Sequence, residues 1–555
     1  IYTYKQKGAY IPIGHISYII GLPLSDQLDM KDVITEFERL LLTHPDIDMF
    51  NAKFDIRFIK NHIGIELPCY FDCYLAARCL NENEPSNGLK ALHVKYILGG
   101  KEDAWNFESL FKGVNFAQVP VSSAYIYAAR DAEITYELYE WQLPYLTQGS
   151  DLCTEFDLDG VCNVFWNIEM PCIKVLADME NTGIAFDVDY AQELSEKYHK
   201  IRDEQLAEFY RILDMYKDEI NDYKLKNPNN KLSDPISVSS PTQLAILFYD
   251  ILGIEPVDDK APRGTGVEIL QKIDNPLCKA ILDYRATDKL LSTYIDKLPE
   301  CIGNDGRIHC GLNQYGAKTG RMSSDDPNLQ NIPSHNKDIR KMFVATDGYY
   351  LLSADFSQQE PKVMTAMCQD PAMIKAYQEG KDLYASIASL AFNQPYEECL
   401  EFRPDGTTNK DGKERRSSAK SILLGILYGR GINSVAEQLK TTKQKAQQIQ
   451  DKVFKGFPAI KQFEEDTIEM AQTLGYVTTY WGRKRRLPEM QLDEFEFKWA
   501  DGYGDIDPLS FDDELVESEV PDNIIRMYIA QLRKNPYKKR PIIEKARSEG
   551  IVITD

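Results

Sequence analysis

Arg416, Lys420, Leu424 and Tyr428 recur at strict four-residue intervals within RSSAKSILLGILYG, and that spacing suits one kind of element. On an α-helix, residues i, i+4 and i+8 stack along one face, so the stretch predicts a helix carrying two cations in line, then an apolar platform and a phenol. Upstream, Leu351 and Leu352 in YYLLSADFSQQE read as the apolar run of a sheet strand. Asp355 would emerge at the end of that strand, where a carboxylate can meet solvent and a divalent cation. A triphosphate with its Mg2+ fits between such a carboxylate and such a stripe.

The remaining sequence bounds what this site can belong to. A chain of 555 residues is too long for one core and should divide into roughly two to four domains. No stretch approaches the roughly 20 apolar residues that cross a bilayer, so no membrane partner is expected. Eleven cysteines are scattered without zinc-like pairs, and Cys69 with Cys73 lacks a second pair. Reduced thiols and a cytoplasmic setting are the plain reading. The chain begins with Ile1 and ends in IVITD, which reads as the start of a strand, so a fragment is expected. A charged segment leading into an apolar core and a small-residue cleavage site is not seen at the start.

A formal net charge of −22 argues at first against nucleic acid, whose phosphates need cationic surface. Its distribution reverses that reading. Residues 489–522 hold thirteen acids against Lys498 alone, over half of the net charge. That stretch reads as a solvated insertion with little fixed structure. Immediately before it Arg483, Lys484, Arg485 and Arg486 are consecutive, and Lys413, Arg415 and Arg416 lie upstream. Net charge averages away such local patches.

Three zones follow along the chain. Residues 1 to about 145 mix short apolar runs (AYIPIGHISYIIGL, IDMF) with helical patterns (DVITEFERLLL, AYIYAARDAEITYELYEWQL), which predicts an α/β domain. Residues 165 to 300 read mostly as helix, with FWNIEMPCIKVLADMENTGI stopping at Gly183 and Pro241 opening a further helix after a polar loop. From Arg307 strands return, followed by long helices to about residue 474, and YVTTYWGRKRRLP predicts a strand pair turning at Gly482.

The ordered motifs TGRMSSDDPNLQNIP, DFSQQE, RSSAKSILLGILYG and GYVTTYWGRKRRLP resemble those of family A DNA polymerases, the bacterial polymerase I-like family. The long acidic insertion resembles that of phage-type members. Upstream, IEMPCIKVLADMENTGIAFD and ILDYRATDKLLSTYIDKLP look like the helices flanking the family's thumb. NAKFD and YAARD look like the second and third motifs of its 3′–5′ proofreading exonuclease.

The resemblance implies a multidomain α/β and α+β chain, an RNase H-like exonuclease domain followed by a right-hand polymerase. The expected boundaries are 1–148 for the exonuclease-like domain, 149–302 for connecting helix and thumb, 303–365 for palm, 366–488 for fingers and returning strands, and 489–555 for the acidic insertion, with the C-terminal palm missing. It also implies primer–template DNA and dNTPs as partners, besides replication accessory proteins or a separate C-terminal segment. Two Mg2+ ions, or Mn2+ in their place, would serve each active site, which needs at least two carboxylates at one point.

Asp355 would be the first carboxylate in the polymerase site. Gln358 would bind the dNTP, and Glu360 would exclude a 2′-hydroxyl by its bulk. Arg416 would clamp the triphosphate by bidentate hydrogen bonds, while Lys420 would act as a point charge and as the proton donor to departing pyrophosphate. Tyr428 and Gly429 would close the helix beside the template base. Arg321, Asn328, Gln330 and Asn331 would touch phosphates and minor-groove acceptors, checking shape without reading sequence. Lys224, Lys226 and Lys231, expected in one loop of the thumb, would ride on duplex phosphates.

Three positions depart from the family pattern. Leu424 stands where an aromatic is usual, Lys362 where an arginine is common, and Tyr384 where a phosphate-binding histidine is usual. A phenol keeps one hydrogen bond and brings no cationic form. The family's second catalytic carboxylate lies in a His-Asp-Glu turn, a tripeptide that this sequence does not contain. FDDELVE (511–517) imitates it but follows the basic turn too closely. In the exonuclease region Asp55 and Asp131 fit the later two motifs as metal ligands, with Tyr127 orienting the attacking water. Nothing before Asn51 reads as a strand with Asp-x-Glu, and Asp26, Asp29 and Asp32 read as helix-start acids. Phe54, Tyr70 and Phe71 read as core.

The sequence thus predicts a DNA-templated DNA polymerase of incomplete chain with a proofreading domain. A non-catalytic part of a split polymerase, or a DNA-binding nuclease remnant, is the alternative. An RNA polymerase is disfavoured by Glu360.

Overall fold

A computed structural model describes the chain apart from residues 1, 4–6, 17–26, 102–114, 259–260, 335, 440, 492–495, 500–521, 535–538 and 555. The chain folds into two compact units, each assembled from separate stretches of sequence.

The first unit comprises Ile1–Leu75, Gly88–Glu140 and Trp166–Ser353. A parallel strand pair, Asp48–Met49 beside Phe71–Asp72, leads into its helices. The Ala52–Ile63 helix starts after Asn51, a non-glycine residue at φ 62. Asp72 explains how that start is held. Its carboxylate is 2% exposed and accepts the backbone N–H groups of Asn51 (3.1 Å), Ala52 (2.8 Å), Tyr74 (2.8 Å) and Leu75 (3.3 Å). Four donors around one buried carboxylate satisfy helix-start amides that would otherwise be orphaned.

The DVITEFERLLL pattern forms the Met30–Thr43 helix, with Asp29 as its N-cap and Asp32 in its first turn, as the helix-start reading requires. Asp26 lies outside the described residues. Met170–Thr182 ends at Gly183, and Pro241–Ala245 opens after the Ser240 N-cap, both as the sequence predicts. On the first of these, Glu180 is buried and receives Lys53 and Arg57 from the Ala52–Ile63 helix, fixing the two helices face to face. Val188–Leu213 packs on Pro276–Leu290, and the helices around them bury Phe209, Leu244, Leu247, Phe248, Leu277 and Ile281. Two expectations fail here. Phe71 is fully buried, whereas Phe54 and Tyr70 are 64% and 39% exposed: Phe54 stacks along its own helix on the exposed Phe58, and Tyr70 meets Trp166. Lys224 and Lys226 belong to the last turn of the Lys217–Lys226 helix and pair with Asp234 and Asp222; Lys231 alone of the three lies in the loop.

The second unit comprises Ala76–Asn87, Trp141–Phe165 and Ala354–Asp555. Its core joins Leu383–Phe392, Lys410–Leu427, Lys443–Gly456 and Pro458–Leu474 through Leu383, Ile387, Ile422, Leu423, Val453 and Ile460. The predicted strand pair is present: Tyr476–Thr478 runs antiparallel to Lys484–Arg486. Gly482 in its turn sits at φ 93, and a Cβ there would fall 2.3 Å from Gly160 Cα, so only glycine allows the two backbones to touch.

The basic run in this hairpin is not a free cationic patch. Lys484, 7% exposed, reaches Asp157 at 2.9 Å, Arg485 and Arg486 reach the buried Glu82 at 3.2 and 2.7 Å, and Asn83 exchanges hydrogen bonds with both arginines. IVITD does continue as a strand, Ile551–Thr554, which pairs with Glu496–Trp499. Within the acidic stretch Glu496–Trp499 is thus a strand, and the rest of the expectation for it falls mostly on residues 492–495 and 500–521, which lie outside the described ones.

Candidate nucleotide site

The strand expected before Asp355 is absent. Residues 349–356 adopt no helix or strand, and Leu351 and Leu352 are 58% and 93% exposed. Their apolar character asks for burial, but no strand among the described residues pairs with them. Asp355 itself is exposed. The Gln359–Cys368 helix then begins from Gln358 in the left-handed region at φ 54, a strained entry of the sort that functional sites store.

The predicted helix is real and spans Lys410–Leu427, capped by the Asn409 side chain. Arg416 on its face is tied down: Nε donates to Asp382 Oδ2 at 2.9 Å and Nη2 lies 2.8 Å from the same oxygen. The guanidinium also lies over the Tyr384 ring, 5.4 Å from its centroid. Tyr384 is buried, and its phenol is pushed up by desolvation first and by Glu360 next. One turn on, Lys420 is exposed and forms no ion pair among the described residues. Thus one cation of the stripe is pre-oriented by an anion, and the other is available.

Asp382 was not expected to matter. It caps Leu383–Phe392 by accepting from Ala385 N at 2.9 Å, holds Arg416, and accepts from Gln358 Nε2 at 3.2 Å. The N-cap was readable from an Asp before an apolar helix; its two other contacts are tertiary and leave no local signal.

At the far end of the Lys410–Leu427 helix, Tyr428 donates its phenol proton to Glu360 Oε1 at 2.7 Å. Gln358, Glu360, Tyr384, Arg416 and Tyr428, drawn from three stretches of sequence, are thereby linked through contacts in one unit. Leu424 is half-buried on the same helix, and Gly429 follows at φ 62 with open space where a Cβ would stand. Its requirement is backbone conformation within the chain. Arg321, just before the Ser323–Asp325 strand, and Asn328, Gln330 and Asn331, between that strand and the Lys337–Lys341 helix, are all exposed in the first unit.

In the exonuclease-like region Asp55 is half-buried on its helix, and burial, then the neighbouring Asp72, lift its carboxyl to about 6. Tyr127 and Asp131 stand one turn apart on Val121–Gln142, as expected. Asp131 is paired with Lys90, whose ammonium lies 3.5 Å away.

These donors do not complete two-ion centres. Among the described residues no three His, Cys, Asp or Glu side chains form a metal-binding group. Asp355 supplies one carboxylate where two are needed, Glu360 is engaged by Tyr428, and FDDELVE lies outside the described residues.

Residues 207–500 match the model of DNA polymerase family A, and residues 1–141 match that of a 3′–5′ exonuclease. The chain belongs to DNA polymerase family A and carries an exonuclease domain ahead of the polymerase domain. It is similar to DNA polymerase I of Chloroflexus aurantiacus, 32% identical over 502 residues, covering 87% of this chain and 48% of that protein. With DNA polymerase I of Pseudomonas aeruginosa it is 31% identical over 506 residues, covering 88% and 50%. The thermostable DNA polymerase I of Thermus aquaticus is 32% identical over 346 residues, covering 60% and 38%. The chain spans about half the length of the first two relatives. Among solved structures, the polymerase domain of Pol1 from M. smegmatis, in complex with DNA primer–template and dNTP, is similar with a TM-score of 0.67 and 25% identity, covering 85% of this chain and 73% of that one. No helix among the described residues is long and apolar enough to cross a membrane.

Proposed function

We propose that this chain is a DNA-templated DNA polymerase that extends a primer 3′ end with dNTPs. The observation that carries the reading is the Glu360–Tyr428 hydrogen bond, in the same unit as the Arg416–Asp382 pair. Lys420 would meet the triphosphate as a free point charge. Arg416, turned by Asp382, would present its remaining N–H groups to phosphate oxygens. Glu360, fixed by the phenol of Tyr428, would stand against the sugar and reject a 2′-hydroxyl, and Tyr428 with Gly429 would line the template base.

Primer–template DNA, contacted by Arg321, Asn328, Gln330 and Asn331, and dNTPs are the proposed partners. Mg2+, or Mn2+ in its place, is the proposed cofactor, with Asp355 as one ligand. The division at 148, 302, 365 and 488 and a cytoplasmic setting belong to the same proposal. A phage-type origin rests on the acidic insertion alone, and the relatives named above are bacterial.

Single-nucleotide incorporation by the full chain tests the reading, alongside dNTP protection of Lys420 from amine labelling. Protection with template-dependent incorporation supports it. Protection without incorporation favours the second reading, a nucleotide-binding part of a split polymerase, which the single carboxylate suggests. Equal labelling of Lys420 with and without dNTP overturns both readings.

A further inference from the structure

Lys90 lies in the first turn of the Leu89–Tyr96 helix, where the helix dipole disfavours a cation. Its ammonium nevertheless points inward. The side chain is only 18% exposed, and its ammonium lies 3.5 Å from Oδ1 of Asp131, whose side chain is 31% exposed. The same ammonium sits 4.1 Å from the centroid of the Tyr127 ring. A cation between a carboxylate and the face of a phenol is stabilised by charge and by the ring quadrupole together.

The two residues that hold Lys90 are the pair assigned to ion binding and water orientation in the exonuclease domain. A divalent ion drawing on Asp131 would meet an ammonium a few ångströms away, like charge against like. The donor set that the domain's family implies is here answered by a lysine.

We propose that Lys90 is the resident cation of this domain: it competes with a divalent ion for Asp131 and so restrains hydrolysis of a bound DNA 3′ end. The inference rests on the reading of Asp131 as an ion ligand, and the experiment separates the two. Mn2+ binding to the full chain is followed by the free-ion paramagnetic resonance signal in wild type, Lys90→Met, Lys90→Arg, Asp131→Asn and Lys90→Met/Asp131→Asn. Release of nucleotides from a 3′-labelled oligonucleotide is measured in parallel. Lys90→Met is expected to tighten one Mn2+ site by about tenfold, a gain that Asp131→Asn removes, and to raise nucleotide release. Lys90→Arg, which keeps the charge, should behave as wild type. Equal Mn2+ affinity at an Asp131-dependent site in wild type and Lys90→Met overturns the competition. Mn2+ binding that ignores Asp131→Asn in both backgrounds removes the ligand assignment, and the inference with it. Thermal melting verifies the fold of each variant, with Lys90→Gln replacing the methionine variant should that one not fold.

Discussion

Asp48 sits in the strand beside Phe71–Asp72 with its Oδ1 buried and without a hydrogen-bond partner among the described residues. Desolvation, then Asp46, lift its carboxyl from 3.8 to about 7. A raised acid favours the fold while protonated, so this contribution is full below about pH 4 and is lost as pH rises towards 7. Asp48→Asn should leave the urea midpoint unchanged at pH 4 and raise stability at pH 8 by roughly 1–2 kcal/mol, discounted for partial exposure. At the proposed nucleotide site, Lys420→Ala should lower kcat/KM for dNTP by roughly 100-fold or more, seen in steady-state incorporation. Glu360→Ala should raise ribonucleotide use at least roughly tenfold in a competition assay, and Tyr428→Phe by less, since it removes one hydrogen bond and leaves the carboxylate in place. The helix that carries Arg416 and ends at Tyr428 was legible because four-residue spacing is local to the chain. The contacts of Lys90, Asp72 and Glu82 were not, because a charge in a first helical turn, a short strand or a loop carries no mark of the distant partner it meets.

Secondary elements divide along the same line. Helices with caps and periodic apolar faces were readable at Met30–Thr43, Met170–Thr182 and Lys410–Leu427, and so was the hairpin with glycine at its turn. The run at 349–352 was misread as a strand because hydrophobicity states a need for burial without naming what provides it. The basic hairpin was misread as a phosphate patch for the converse reason: its counter-charges, Glu82 and Asp157, are supplied from far away in sequence. Glu82→Ala should therefore cost roughly 3 kcal/mol, read from chemical denaturation, since it strands two guanidinium groups. Arg485→Ala should leave the salt dependence of DNA binding unchanged, whereas removing an arginine that contacts phosphate would flatten it.

Across the whole molecule, the order of motifs announced both domains, but their three-dimensional partition did not follow sequence order. The unit containing residues 354–555 also uses 76–87 and 141–165. A fragment beginning at residue 166 would keep every nucleotide-site residue and lose the partners of Lys484, Arg485 and Arg486. Such a fragment should melt roughly 5 °C or more below the full chain and be cut faster by trypsin at the hairpin. The backbone contact between Gly160 and Gly482 carries this interdependence further. In a library with both codons randomised, selection for a working enzyme should return glycine at the two positions together. A statistical linkage would then join two distant points of the gene through a place where no side chain exists.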